Sequence, residues 1–192
     1  MLSNDKKLIA VIKAGGLAVI PTDTIYGLVG SALNQKTIEK IYDLKLRDEK
    51  KPFIILISSL KDLEIFDIKL SKKDKDILKK IWPEKVSVIL PCKTEKFSYL
   101  HRGTDSLAFR WPKNKDLVFL IEKTGPLATS SANPENFSPA ENLTEAKKYF
   151  GKKVSVYVDG GKITAPASTL IRLKNRKIKV LRQGEIKVLS IL

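Results

Sequence analysis

The chain has 192 residues, of which 43% are hydrophobic, and its 36 lysines and arginines exceed its 21 acids by a net charge of +15. Such a length allows one sizeable core, and the apolar runs fall short of the roughly 18 residues that a membrane-spanning helix needs. The single cysteine, Cys92, excludes an intrachain disulfide, and with the single histidine, His101, it argues against a zinc site within the chain. The positive charge favours a nucleotide or nucleic acid as partner, although surface lysines also serve solubility alone.

Apolar periodicity predicts a first helix over residues 5–14, capped by Ser3 or Asn4, and then a short buried strand over residues 17–20. Further helices are predicted over residues 35–44, 60–66, 71–81, 116–123 and 141–150. Further strands are predicted over residues 53–57, 86–90, 106–111, 127–131, 154–158, 168–173, 177–181 and 186–189. Helices and strands alternate at first and the end is strand-rich, which predicts an α/β or α+β fold with a sheet of mixed direction.

No repeat or linker-like run divides the sequence, so we expect one domain over residues 1–192. The N-terminus becomes polar at once and lacks the apolar core of a signal peptide, so we also expect a cytoplasmic protein without a membrane partner. Cys92 closes the apolar run 86–91, which indicates a packing residue rather than a nucleophile. Neither of the familiar glycine-rich nucleotide motifs occurs, so a phosphate site would have to be built in another way.

Two cations, Lys45 and Arg47, follow the second predicted helix. In an extended loop, residues two apart point the same way, so both side chains could converge on one anion. The alternative is that they only complement the dipole at the helix C-terminus, and position alone favours this alternative.

Polar residues also follow or interrupt three predicted strands. The run 129–133 ends in Ser131 and Asn133, whose hydroxyl and amide groups can bind phosphate or simply form a turn. The run 21–24 could line a pocket at a strand end or be a plain turn. Arg110 lies inside an apolar strand and needs a partner, which could be an internal acid or the carboxylate of a ligand.

Taken together and in order, six segments resemble the YrdC-like, or TsaC, threonylcarbamoyl-AMP synthase family, and the resemblance covers nearly the whole chain. The segments are 17–30 (LAVIPTDTIYGLVG), 45–52 (KLRDEKKP), 107–112 (LAFRWP), 129–133 (TSSAN), 167–170 (ASTL) and 181–184 (LRQG). The resemblance implies an open, twisted sheet with flanking helices and a basic concave face. It also implies an enzyme that makes threonylcarbamoyl-adenylate and pyrophosphate from L-threonine, bicarbonate and ATP with Mg²⁺.

For ATP, the resemblance implies a set of cations and of hydroxyl or amide groups: Lys45, Arg47, Lys51, Ser87, Ser131, Asn133 and Arg182. Lys45 and Arg47 would hold the triphosphate, and Ser131 and Asn133 would orient phosphate and carbamate oxygens, so these four would be catalytic. No metal ligand from the protein is implied.

For threonine, the resemblance implies contacts from Thr24, from Arg110 near the carboxylate, and from Ser168. Two departures affect this part of the site. Leu56 stands where many members have a histidine, and a glycine and proline that precede the family's equivalent of Ser87 are absent.

A partner enzyme would transfer the threonylcarbamoyl group to tRNA, and direct binding of tRNA to this chain is also possible. The alternative function is a double-stranded RNA or tRNA binding module of the same fold without synthase activity. A further alternative is the carbamoyl-adenylate chemistry of hydrogenase maturation, which normally belongs to a much longer chain. We expect the second domain of the longer family members to be absent, because the chain ends near Leu192.

Overall fold

A mixed sheet organises the chain in a computed structural model, and its nine strands all lie within the residues that the structure describes, namely 2, 5–48, 51–174 and 176–190. The strands are β1 (Ala18–Pro21), β2 (Tyr26–Ser31), β3 (Ile54–Leu56), β4 (Val86–Pro91), β5 (Ser106–Arg110), β6 (Leu127–Ser131), β7 (Val156–Tyr157), β8 (Thr169–Lys174) and β9 (Lys177–Arg182). Their order is β7-β1-β2-β6-β3-β5-β4-β8-β9. The pairs β1–β7, β3–β5 and β4–β8 are parallel and the other neighbours antiparallel, which confirms the predicted mixed α/β sheet.

Six α-helices and several short 3₁₀ helices connect these strands in the described part of the chain. The α-helices are α1 (Lys6–Lys13), α2 (Gln35–Lys45), α3 (Lys72–Ile81), α4 (Ser98–His101), α5 (Lys115–Thr124) and α6 (Leu143–Phe150). The 3₁₀ helices are Leu60–Phe66, Glu95–Phe97, Gly151–Lys153 and Val188–Ser190. Within the described ranges no helix is long and apolar enough to cross a membrane.

Side-chain caps explain where several helices begin. Asp5 caps α1 by accepting a hydrogen bond of 2.9 Å from the backbone N–H of Leu8, so the predicted cap is shifted, and Ser3 and Asn4 lie outside the described residues. Asn34, Asn114 and Asn142 cap α2, α5 and α6 in the same way.

The sheet has two differently covered faces. On one face, α2, α3, α4 and α6 pack over a large core that includes Leu28, Ile55 and Phe109. On the other face, the helices of the described residues that cover the strands are α1 and α5, and they pack against alternate residues such as Val29 and Leu56. The core under these two helices includes strand residues of β1, β2, β3, β6 and β7.

Several predicted elements differ from the structure. β2 is a strand that the sequence did not predict, because both of its faces are buried and its apolar residues do not alternate. The predicted strand 154–158 is only Val156–Tyr157, and the predicted helix 60–66 is a 3₁₀ helix. The predicted strand 186–189 is wrong: Val188–Ser190 form a 3₁₀ helix. The carbonyl of Ile186 accepts hydrogen bonds from side chains of Thr169 and Gln183.

Candidate active site

A cavity of about 260 Å³ opens at the sheet, and its lining includes residues of β2, β3, β5 and β6. Six of its lining residues were predicted as site residues from the sequence: Thr24, Arg47, Arg110, Ser131, Ser168 and Arg182. They come from two loops, from strands β5, β6 and β9, and from the segment before β8. The fold therefore gathers polar groups that are far apart in the chain into one site.

A second cavity, of about 340 Å³, shares Arg47 and Arg182 with the first. It adds Lys51, Ser106 and Arg172 to the lining. Because the two cavities share lining residues, they are described below as one groove, which several cations line.

Arg110 lies at the bottom of the first cavity and pairs with an internal acid. Its Nη2 is 3.1 Å from Asp23 Oδ1, and its Nη1 donates to Thr24 Oγ1 at 3.4 Å. The two charged side chains are only 4% and 5% exposed. Burial lowers the pKa of Arg110, and the charge of Asp23 opposes this shift. The sequence left two partners open for Arg110, an internal acid or the carboxylate of a ligand. In the structure, Arg110 pairs with the internal acid Asp23.

Asp23 is a site residue that the sequence prediction did not select. A buried arginine requires a counter-ion, and Asp23 is the acid of the polar run that already contained Thr24. The run itself is a tight turn, because Thr22 Oγ1 donates to the carbonyl of Ile25 at 2.7 Å and accepts from the N–H of Thr24 at 3.2 Å. The turn orients Thr24 into the cavity.

Lys45 does not line either cavity, in contrast to the predicted loop geometry. It is the last residue of α2, and its side chain is almost completely buried. Its Nζ donates to the backbone carbonyls of Ser131, at 2.6 Å, and Asn133. Leu46 then adopts a left-handed conformation (φ 49°) that ends the helix, so the expected extended loop is absent and Lys45 and Arg47 contact different partners.

The buried position of Lys45 changes its acidity. Burial, and to a smaller extent the charge of Arg47, lowers the pKa of Lys45 to about 7, while Glu135 opposes the shift. The ammonium group that crosslinks α2 to the end of β6 therefore titrates near neutral pH.

Asn133 is likewise buried in the turn after β6 and does not line the cavity. Its Nδ2 donates to the carbonyls of Pro134 and Phe137, at 2.9 and 2.7 Å. Its Oδ1 has no hydrogen-bond partner within the described part of the chain. In this structure Asn133 shapes the turn that follows Ser131.

Arg47 is held in the groove by backbone carbonyls. Its Nε donates to the carbonyl of Lys51 at 2.7 Å and its Nη2 to that of Pro52 at 3.4 Å. The guanidinium carbon lies 5.3 Å from the centre of the Phe53 ring. Burial lowers the pKa of Arg47, yet a guanidinium keeps its proton in proteins, so a fixed cation lines both cavities.

Ser87, Ser168 and Arg182 form a connected group at the far side of the first cavity. The hydroxyls of Ser87 and Ser168 are 2.9 Å apart, and Ser87 is fully buried behind Ser168. Arg182 donates from Nε and Nη2 to the carbonyl of Ser168, at 3.1 and 3.0 Å. A side chain at Gly184 would meet the carbonyl of Ala167 at 2.3 Å, so this close approach requires glycine.

Leu56, Cys92 and His101 lie away from the groove. Leu56 is fully buried under α1 and α5 and lines neither cavity. Cys92 packs in the large core, where burial raises the pKa of its thiol, which confirms the packing interpretation. His101 Nδ1 accepts a hydrogen bond from the N–H of Gly103. Within the described residues no group of three or more His, Cys, Asp or Glu could hold a metal ion.

Comparison with known proteins gives concordant matches. The family model Sua5_yciO_yrdC, described as telomere recombination, matches residues 10–184. A threonylcarbamoyl-AMP synthase of Pyrococcus abyssi is 31% identical over 176 residues, which are 90% of this chain and 52% of that protein. The structure of P. abyssi Sua5 complexed with L-threonine matches with a TM-score of 0.85 and 28% identity, over 96% of this chain and 56% of that one. Escherichia coli YciO has the same fold, with a TM-score of 0.84 and 22% identity over 100% of this chain and 92% of its own.

Proposed function

We propose that this chain, which belongs to the Sua5/YciO/YrdC family, is a threonylcarbamoyl-AMP synthase. It would convert L-threonine, bicarbonate and ATP into threonylcarbamoyl-adenylate and pyrophosphate, the activated intermediate for modification of tRNA. The observation that carries the proposal is a single cavity lined both by cations suited to phosphates, Arg47 and Arg182, and by groups suited to an amino acid, Thr24 and Arg110.

The amino-acid end of the site, defined here as Asp23, Thr24 and Arg110, can receive the substrate zwitterion. Arg110 Nε is buried and has no hydrogen-bond partner in the described part of the chain, so the guanidinium has a donor available for a carboxylate. Asp23 keeps the guanidinium charge balanced before the substrate arrives. The hydroxyl of Thr24 lies beside Arg110 and can accept or donate a further hydrogen bond.

The nucleotide end, defined as Arg47, Lys51, Ser131 and Arg182, can receive the phosphates. The threonine amine attacks bicarbonate carbon and water is lost, which gives a carbamate. A carbamate oxygen then attacks the α-phosphorus, the bond from that phosphorus to the bridging oxygen breaks, and pyrophosphate leaves with the electron pair. Such chemistry depends on positioning and charge stabilisation rather than on a protein nucleophile, and fixed cations such as Arg47 supply it.

Mg²⁺ would enter bound to ATP as part of the substrate. The described residues include no cluster of acids that could hold the ion, so phosphate oxygens and water would provide most of its ligands. The protein's own contribution at this end is the set of cations that offsets phosphate charge.

The test is pyrophosphate release with ATP, bicarbonate and L-threonine, together with detection of the adenylate. We expect release that requires both bicarbonate and threonine. Release with ATP alone, or no release at all under conditions in which the protein is folded, would contradict the proposed synthase activity.

Direct binding of tRNA is a second candidate function, favoured by the β8–β9 hairpin. Arg172 lies directly opposite Lys179, and Lys174 opposite Lys177, in this antiparallel pair. Like charges directly opposite each other destabilise a sheet, so a polyanion bound over these cations would reduce their electrostatic repulsion. Arg172 lines the second cavity, which places this cationic hairpin next to the site. Salt-sensitive tRNA binding without pyrophosphate release would favour this function over the synthase.

A further inference from the structure

Glu135 connects the turn after β6 to the basic segment, defined as residues 45–48 and 51. Its Oε2 accepts a hydrogen bond of 2.7 Å from the backbone N–H of Asp48, and its Oε1 accepts one from Lys51 Nζ. Its own backbone N–H donates to the carbonyl of Lys45 at 2.7 Å. A single residue therefore contacts the basic segment at three points.

The same turn is held from the other side by Lys45, whose Nζ donates to the carbonyls of Ser131 and Asn133. The two segments thus restrain each other, and Ser131, a predicted phosphate contact, is one of the restrained residues. Glu135 is the acid that faces these cations: Lys51 and the N–H of Asp48, then the charge of Arg47, lower the pKa of its carboxyl group.

The pair of Glu135 and Lys51 is unequal in exposure. The lysine side chain is 56% exposed and lines the second cavity, whereas the glutamate side chain is 15% exposed. A phosphate that enters the groove can reach Lys51 and compete with Glu135 for its ammonium group. The N–H of Asp48, by contrast, is a backbone donor that stays with the carboxylate.

We propose that Glu135 is a positioning residue with two separable actions at the nucleotide end. Its acceptor oxygen holds the basic segment through the N–H of Asp48. Its negative charge is the exchangeable counter-ion of Lys51, which the phosphates of ATP displace. The inference rests on the proposed function, because it assigns Lys51 to ATP.

The two actions predict that loss of the charge and loss of the acceptor change ligand affinity in opposite directions, so Glu135→Gln and Glu135→Ala should differ. A merely structural role of Glu135 does not predict this. Glu135→Gln keeps an acceptor for the N–H of Asp48 but removes the charge, so Lys51 no longer has to leave an ion pair. ATP and pyrophosphate should then bind about two- to fivefold more tightly than to the wild type, the scale of an exposed ion pair. Glu135→Ala removes the acceptor as well, and should bind both ligands about fivefold more weakly than Glu135→Gln does, the scale of a hydrogen bond between neutral groups.

The experiment measures dissociation constants for ATP and for pyrophosphate by calorimetry at one fixed low ionic strength, with the wild type and both variants. Glu141→Gln is the matched control, because Glu141 belongs to the same stretch of chain and pairs with exposed Lys162 at 3.3 Å. This control removes one negative charge without a contact to the basic segment, and its affinities should equal those of the wild type. Thermal unfolding confirms that each variant is folded.

Tighter binding by Glu135→Gln, absent in Glu141→Gln, supports the proposal even if Glu135→Ala does not fold. If Glu135→Gln and Glu135→Ala weaken ligand binding equally, the proposal is overturned, because Glu135 would then be only a structural support. Affinities unchanged from the wild type in both variants would also overturn it. If the folded wild type binds neither ligand, the proposed function fails together with this inference. If the wild type turns over its substrates but the variants bind ATP and pyrophosphate with wild-type affinity, only the inference about Glu135 is refuted.

Discussion

The two ends of the candidate site are built differently. At the amino-acid end, Arg110 and Asp23 are 4% and 5% exposed, and Arg110 projects from a central strand. At the nucleotide end, Lys51 is 56% exposed, and Arg47 and Lys51 follow a helix that Leu46 terminates. The first end is held by core packing, so its charges are arranged before any ligand arrives. The second depends on contacts between loops, and ligand binding must exchange some of them.

This comparison predicts that changes at the amino-acid end affect folding and activity together, whereas changes at the nucleotide end affect activity with little effect on folding. The changes at Arg110 and Arg47 test that distinction, and those at Lys45 and Ser87 test buried contacts beside the site.

The largest effect is expected from Arg110→Ala, which leaves the carboxylate of Asp23 buried without its counter-ion. The free energy of unfolding should fall by about 3–5 kcal/mol, and turnover should be lost. Denaturant unfolding and pyrophosphate release measure the two effects. As a control, the double change Arg110→Met with Asp23→Leu should regain stability, because no buried charge remains, but not activity. If Arg110→Ala is as stable as the wild type, the buried ion pair does not hold this end together.

Arg47→Ala should reduce kcat by about 100-fold or more, the scale of losing one preorganised electrostatic contact to the transition state. The free energy of unfolding should change by less than about 1 kcal/mol, because the side chain lies in the groove and not in the core. The matched control is Lys113→Ala, which removes an exposed cation that pairs with Glu84 at 3.5 Å. An Arg47→Ala variant with wild-type kcat would show that this guanidinium only packs against Phe53 and the loop carbonyls.

The lowered pKa of Lys45 predicts that the stability of the folded chain increases with pH. Its pKa is about 7 in the folded chain against an ordinary 10.5, so between these values the unfolded chain binds more protons. The free energy of unfolding should therefore rise with pH in this window, by up to about 1.4 kcal/mol per pH unit. Below about pH 7, burial of the charged Lys45 side chain should destabilise the folded chain by its full amount.

The check is the unfolding free energy of the wild type minus that of Lys45→Met, measured from pH 6.5 to 9.5, because the methionine does not titrate. A difference that stays constant with pH would mean that Lys45 has the same pKa in the folded and the unfolded chain, because its hydrogen bonds to the two carbonyls offset the cost of burial.

The smallest effect is expected from Ser87→Ala, which removes the hydroxyl 2.9 Å from that of Ser168. Stability should fall by about 1 kcal/mol, the net contribution of one hydrogen bond, and the KM for L-threonine should rise a few-fold as Ser168, a predicted threonine contact, loses this support. Ser98→Ala, at an exposed serine, is the control. A large loss of kcat would instead indicate that Ser87 contacts the reacting groups directly.

Much of the site could be predicted because several short segments, each ambiguous alone, together resemble one family. Thr24, Arg47, Arg110, Ser131, Ser168 and Arg182 were all selected from the sequence, and all line one cavity. Partners could not be predicted in the same way. Asp23 became visible only as the acid nearest to Arg110, and Glu135 only through its contacts with Asp48 and Lys51. These contacts join segments whose relative positions depend on the whole sheet.

The sequence by itself determined the mixed α/β character and most helix positions, because periodicity and caps act over a few residues. Only the tertiary structure decided that β2 is a fully buried strand and that Lys45 bonds to backbone carbonyls rather than facing the groove. Burial on both faces of β2 removes the alternation that marks a half-exposed strand. The partners of Lys45 belong to the end of β6, a strand that comes next to α2 only when the sheet has formed.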